Sequence, residues 1–138
     1  MNTLRIQILA LLAVSSLFVS VGRADEAAYG KILKERDAVL SQILATREAR
    51  LKSGAGDEAA ITSARLVLYA FRRDTAASRA EKLRQQELIV AVWQKELASI
   101  KVRATTGSAG PEDVLQVTDS LLQARQVFEE LQRDMKKG

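Results

Sequence analysis

The segment Arg50-Leu51-Lys52-Ser53-Gly54-Ala55-Gly56-Asp57-Glu58 recurs, loosely, as Arg103-Ala104-Thr105-Thr106-Gly107-Ser108-Ala109-Gly110-Pro111-Glu112-Asp113. This duplication limits the fold more than any other feature. Each copy is a short glycine turn set between two helical patterns. The spacing from Gly54 to Gly107, and from Gly56 to Gly110, is about that of one helix-turn-helix unit, a range in which internal repeats mean repeated supersecondary structure. Glycine adopts φ > 0 cheaply, so each turn reads as the corner of an αα-hairpin.

The flanking patterns are helical. From Val114 the apolar residues fall at Val117, Leu121, Ala124, Phe128, Leu131 and Met135, three and four apart, as on the seam of a helix against a neighbour. The segment from Ser78 places Leu83, Val90, Leu97 and Ala104 on one row and Trp93 and Ile100 on the next, with Trp93 read as core. Residues 27 to 52 carry Leu33, Val39, Leu40, Ile43, Leu44 and Leu51, a stripe interrupted by Arg36 and Arg47, and residues 58 to 73 carry Ile61, Ala64, Leu68 and Phe71. Pro111 suits a first helical position, and Glu112, Asp113, Asp57 and Glu58 suit the positive end of a helix dipole. The expected fold is all-α: an antiparallel bundle of two αα-hairpins, with helices near 27–52, 58–73, 79–104 and 111–136 and repeats over about 28–73 and 79–136.

The stretch Arg72 to Glu81 decides between four helices and three. It has no large apolar residue, and Ser78 with Glu81 forms a Ser-x-x-Glu capping box, which reads as a break. Against this, neither Gly nor Pro is present, and an unbroken helix of about 46 residues would run about 70 Å. The break is the preferred reading.

Residues 1–24 read as a signal peptide: Arg5, an apolar run from Ile6 to Val21, then Gly22-Arg23-Ala24 before Asp25-Glu26, with cleavage expected after Ala24. The alternative is an uncleaved anchor, since the run is near the lower limit for crossing a bilayer. An exported helical chain with no Cys points to a bacterial periplasm, with secretion beyond it as the other destination. Loss of Arg5 and Arg23 would leave 19 of the 21 Lys and Arg against 17 Asp and Glu, so the remaining domain, 25–138, is only mildly basic.

With no His and no Cys, the chain lacks the commonest general base, the thiolate nucleophile and the best transition-metal ligands. No catalytic residue, cofactor or metal site is expected. The adjacent carboxylates Asp57/Glu58, Glu112/Asp113 and Glu129/Glu130 do not face one another on a helix. The basic stretch Arg72, Arg73, Arg79, Lys82 and Arg84 is interrupted by Asp74 and Glu81 and reads as a solvated connector rather than a phosphate or membrane contact. No nucleic acid is expected, and membrane contact only through the signal segment or a partner.

At the second turn, Gly107-Ser108-Ala109-Gly110-Pro111-Glu112-Asp113-Val114-Leu115, followed by Thr118, Leu121, Leu122 and Ala124, resembles the helix-turn-helix corner of TolC-type outer-membrane efflux proteins. That family is built from a duplicated unit whose corners form the periplasmic tip that meets an adaptor protein. Asp113 matches its first tip aspartate. Gln116 and Ala109 stand where a second acid and an arginine occur, so the family's charged gate is not reproduced, and the strands of a transmembrane barrel are missing.

The resemblance implies a small non-enzymatic interaction or scaffold module, associated with an envelope or efflux assembly through protein contact or self-association. Its contact residues would be Gly54, Gly56, Asp57, Gly107, Gly110, Pro111 and Asp113. Ile89, Val92 and Val67 are the surplus apolar surface available for self-association. The alternative from another class is a small-ligand-binding or stress-sensing bundle with its site between helices.

Overall fold

The computed structural model describes the backbone of residues 2–137 and the side chains of residues 25–137. The expected signal segment, 1–24, and its cleavage after Ala24 therefore lie outside the residues described in full. No helix among the described residues is long and apolar enough to cross a membrane.

The described chain is all-α, with helices α1 Asn2–Lys52, α2 Glu58–Thr75, α3 Arg79–Thr105 and α4 Pro111–Lys136. It divides into two compact units, Met1–Arg36 and Asp37–Gly138. In the first, the described side chains are mostly exposed, among them Tyr29 and Ile32, with a loose Lys31–Glu35 ion pair along the helix.

The second unit holds the bundle. α3 is its central element, meeting α2 on one side and α4 on the other. Polar ties give antiparallel order throughout. Arg47 of α1 donates to the Ala60 carbonyl, Arg65 of α2 to Glu48, and Arg72 of α2 to Asp37. Arg73 of α2 donates to Gln86 of α3, and Arg79, at the start of α3, donates to the Asp134 carbonyl near the end of α4. The core comprises Ile61, Ala64, Leu68 and Phe71 of α2, Ile89 and Ile100 of α3, and Leu121 and Ala124 of α4.

The helix does break after Thr75. Ala76 leaves helical geometry at ψ 133°, and Ser78 caps α3 by accepting from the Glu81 N–H at 3.1 Å. Ser78 thus meets one of the donors that a helix start leaves orphaned.

Three expectations change. Ile89 is not surplus surface but core, lying 7% exposed, whereas Val67 is exposed and Val92 half-buried. Arg72 and Arg73 are not a solvated connector: they end α2 and spend their guanidinium groups on internal acceptors. Gly56 is not the counterpart of Gly110. α1 and α3 end at Lys52 and Thr105, and α2 and α4 start at Glu58 and Pro111, so the repeat keeps one offset of 53 residues and places Gly56 opposite Ala109.

That offset holds along the helices. Ile61, Ala64, Leu68 and Phe71 of α2 correspond to Val114, Val117, Leu121 and Ala124 of α4, all buried or half-buried. Leu40, Leu44, Arg47 and Leu51 of α1 correspond to Trp93, Leu97, Ile100 and Ala104 of α3, again all inward. An unbroken register over both arms of the hairpin means that the two copies differ by substitution alone.

Candidate interaction site

Both corners close their first helix with the same hydrogen bonds. In the first, the Gly54 N–H donates to the Leu51 carbonyl (2.9 Å) and the Ala55 N–H to the Arg50 carbonyl (3.0 Å). In the second, the Gly107 N–H donates to Ala104 (3.2 Å) and the Ser108 N–H to Arg103 (2.8 Å). This pair of bonds, around a glycine in the left-handed region, is the Schellman motif. Gly54 has φ 78° and Gly107 φ 75°, a conformation that costs a side-chain-bearing residue about 1 kcal/mol or more. Even the hydroxyl bonds repeat, Ser53 to the Arg50 carbonyl and Thr106 to the Arg103 carbonyl, both at 2.9 Å.

The second halves of the corners diverge. Asp57 caps α2 by accepting from the Ala59 N–H at 3.0 Å. Gly110, its counterpart, has no side chain to offer, and Asp113 compensates by accepting from the Gly110 N–H at 2.7 Å. Pro111 occupies the first helical position, where its missing donor costs nothing. Gly56 is required for space, because a Cβ there would run into the backbone of Leu51 and Arg50, whereas one on Gly110 would meet only the Asp113 carboxylate at 3.6 Å.

The seven candidate contact residues therefore form two groups, Gly54, Gly56 and Asp57 at one corner and Gly107, Gly110, Pro111 and Asp113 at the other. The chain order α1 to α4 places both groups at the end of the bundle opposite the 76–78 link. Around the first lies a charged hollow of about 350 Å³ lined by Arg47, Arg50 and Asp57. Around the second lies an open apolar one of about 520 Å³ lined by Ala104, Ala109, Pro111, Val114 and Leu115. Leu115, at 69%, is the most exposed of the large apolar side chains described, and Val102 nearby is 66% exposed. The rim carries Glu112 and Asp113, while Arg103 is taken up by Glu96 at 3.1 Å. The second corner is thus apolar with an acidic edge.

Sequence reasoning missed a second concavity. A groove of about 500 Å³ runs between α2 and α3, lined by Thr62, Arg65 and Tyr69 on one wall and Leu88, Val92 and Lys95 on the other. Arg65 is held there by Glu48 at 2.6 Å. The signal was present, since 58, 62, 65 and 69 on α2 and 88, 92, 95 and 99 on α3 each trace a helical ridge.

Also missed was Gln86, only 1% exposed, which accepts from Arg73 at 2.8 Å and donates to the Ala124 carbonyl at 2.7 Å, so that one amide joins α2, α3 and α4. The other tie is the Asp37–Arg72 pair, bidentate at 2.7 and 2.9 Å, with Ser41 accepting from the same guanidinium at 3.0 Å. The Arg72 hydrogen bonds hold the Asp37 carboxyl below the usual carboxylate range, partial burial opposing them and the guanidinium charge assisting. Arg72 is raised in turn, chiefly by the same hydrogen bonds.

Comparison with models of known families, with characterised proteins and with solved structures finds no match.

Proposed function

We propose that this protein is a non-enzymatic interaction module of the bacterial periplasm, exported by residues 1–24, that presents its second glycine corner to a protein of an envelope or efflux assembly. The observation that carries this reading is Leu115, 69% exposed beside the apolar hollow of Ala109, Pro111 and Val114. A helix start needs Pro111 and Asp113 but has no use for an outward leucine at this position. An apolar patch with a polar rim is the usual mark of a protein contact. The resemblance of Gly107 to Leu115 to TolC-type tip corners supports the same surface.

Site-specific photocrosslinking in cells tests it. A crosslinker at Ser108 is expected to capture a discrete envelope protein that one at Gln94, exposed near the middle of α3, does not. Asp113→Asn, which keeps an acceptor for the Gly110 N–H but removes the charge, is expected to weaken that adduct. Equal capture from both positions, or none from Ser108, would sink the reading.

The α2–α3 groove favours a second reading, a small amphipathic ligand held between helices. Val92→Trp would fill the groove, abolishing ligand binding while leaving the Ser108 adduct intact. Loss of that adduct with no ligand effect would exclude this alternative.

A further inference from the structure

Along the α2–α3 groove one hairpin of the repeat meets the next, so the 53-residue register shows what stands at the same positions on the two helices, α1 and α4, that have no further hairpin beside them among the described residues. On the α2 wall, Glu58, Thr62, Arg65 and Tyr69 correspond to Pro111, Leu115, Thr118 and Leu122 of α4. On the α3 wall, Val92, Lys95, Glu96 and Ser99 correspond to Val39, Gln42, Ile43 and Thr46 of α1.

Two changes accompany this shift. All four charged positions, Glu58, Arg65, Lys95 and Glu96, become uncharged. Thr62, Tyr69 and Glu96, half-buried in the groove, become Leu115, Leu122 and Ile43, open to solvent at 69%, 56% and 39%, and the half-buried Val92 recurs as Val39, 55% exposed. The exchange runs the other way at the groove's far end, where Leu88 corresponds to Glu35. The outer faces of a repeat protein are expected to be more polar than its internal junctions, because nothing covers them. Here the α4 face is the more apolar, and the α1 face carries as many large apolar residues as the α3 wall with fewer charges.

We infer that a second copy of this chain covers them: α1 of one copy docks antiparallel on α4 of another, in the register that α3 keeps on α2 within one chain. The occupant follows from the template, since the α4 face is the counterpart of one wall of an existing junction and the α1 face that of the other. In this register Leu115 meets Ile43, and Leu122 lies beside Val39.

Charge agrees with it. In this register Glu112 and Asp113, at the start of α4, lie along the last turns of α1, where Arg47 and Arg50 outnumber Glu48, while Asp119 falls beside Val39. Two unlike faces make the contact heterologous, so each copy in a chain of them uses one face of each kind. Both this contact and the tip reading draw on Leu115, but their tests separate: Ser108 and Asp113 lie off the α4 ridge, and the self-contact needs Leu122, Val39 and Ile43 as well.

Sedimentation of the full chain tests the contact through two double variants, Val39→Glu/Ile43→Glu and Leu115→Glu/Leu122→Glu. The unchanged chain is expected to associate in a concentration-dependent way, more weakly at high salt. Each double variant alone is expected to be monomeric, with association weakened about tenfold or more and helicity unchanged, because the substituted side chains are exposed. Mixed in equal amounts, the two variants retain one good face each and are expected to form a dimer and nothing larger.

A monomeric unchanged chain, a variant that still associates alone, or a mixture that stays monomeric would each overturn the proposal. Association through residues 1–24 would persist in both variants and so falls under the second outcome. Serine in place of glutamate at the same four positions guards against misfolding by the introduced charges.

Discussion

Side by side on α3, Gln85 and Gln86 are both buried, yet their amides are in opposite states. Gln86 satisfies both ends, accepting from Arg73 and donating to Ala124, whereas the Gln85 Oε1 has no partner and only its Nε2 is bonded, to Glu81 at 2.6 Å. A buried polar atom left unpaired costs about 1–3 kcal/mol, so the two residues respond differently to the same substitution. Gln86→Leu is expected to destabilise by about 2 kcal/mol, since two hydrogen bonds of a buried amide are lost, one of them charge-assisted, although Arg73 keeps Asp74. Gln85→Leu removes an atom already stranded and is expected to be neutral or mildly stabilising.

The glycines separate in the same manner. Gly56→Ala forces a methyl into the Leu51 backbone and is expected to cost about 1–3 kcal/mol, as overpacking does. Gly110→Ser, at φ −87° and ψ 166°, places a hydroxyl where the Asp57 carboxylate stands in the first corner and is expected to add about 0.3 kcal/mol. Urea midpoints at unchanged m-value read all four.

Among elements, the Asp37–Arg72 tie between α1 and α2 responds to pH. Asp37 titrates below its ordinary value in the folded chain, so the protonated form is disfavoured there relative to the unfolded chain, where the group titrates at about 3.9. The stabilisation is therefore present above that value and lost as pH falls through the lower, folded one. Both side chains are more than a third exposed, which screens the pair and limits its worth to about 1 kcal/mol or less. Asp37→Asn is expected to lower the urea midpoint at pH 7 by that modest amount, the difference from the unchanged chain shrinking as pH falls below about 3.9. A gap that widened on acidification would show that the pair does not act in this way.

The same elements show how much was legible in the sequence. Helix bounds from Lys52 onward were, to within two residues, because apolar periodicity, Ser78, Pro111 and the glycines act within a few residues of one another; the start of α1 was not, since the helix runs from Asn2 rather than from near residue 27. Ile89 was misread because the choice between core and surface on α3 depends on which flank α2 covers. Gln86 lies on the row that passes through Leu83, Val90 and Trp93, so its place was visible as a polar gap in an apolar series, but the partners that make it tolerable are 13 and 38 residues away. The corner residues were named correctly as corners, yet the feature that makes the second one a candidate contact, an outward Leu115, depends on rotation about α4 and not on turn chemistry.

Across the bundle of the second unit, stability follows from how each helix is covered. α2 lies between α1, to which three of its arginine and carbonyl ties run, and α3, and it buries four apolar side chains in its 18 residues. α4 buries only Leu121 and Ala124 over 26 residues, and its last turns leave Met135 exposed. Local opening is cheapest where few apolar side chains are covered and backbone bonds face water. Amide hydrogen exchange is therefore expected to be slowest over residues 61–71 and 86–100, and faster over 102–110 and beyond Gln126. If a second copy covers α4 as inferred above, protection over 115–122 rises with protein concentration while that over 61–71 does not, because only the former gains a neighbour. Protection rising uniformly along the chain would instead indicate that association stabilises the whole fold without using that face.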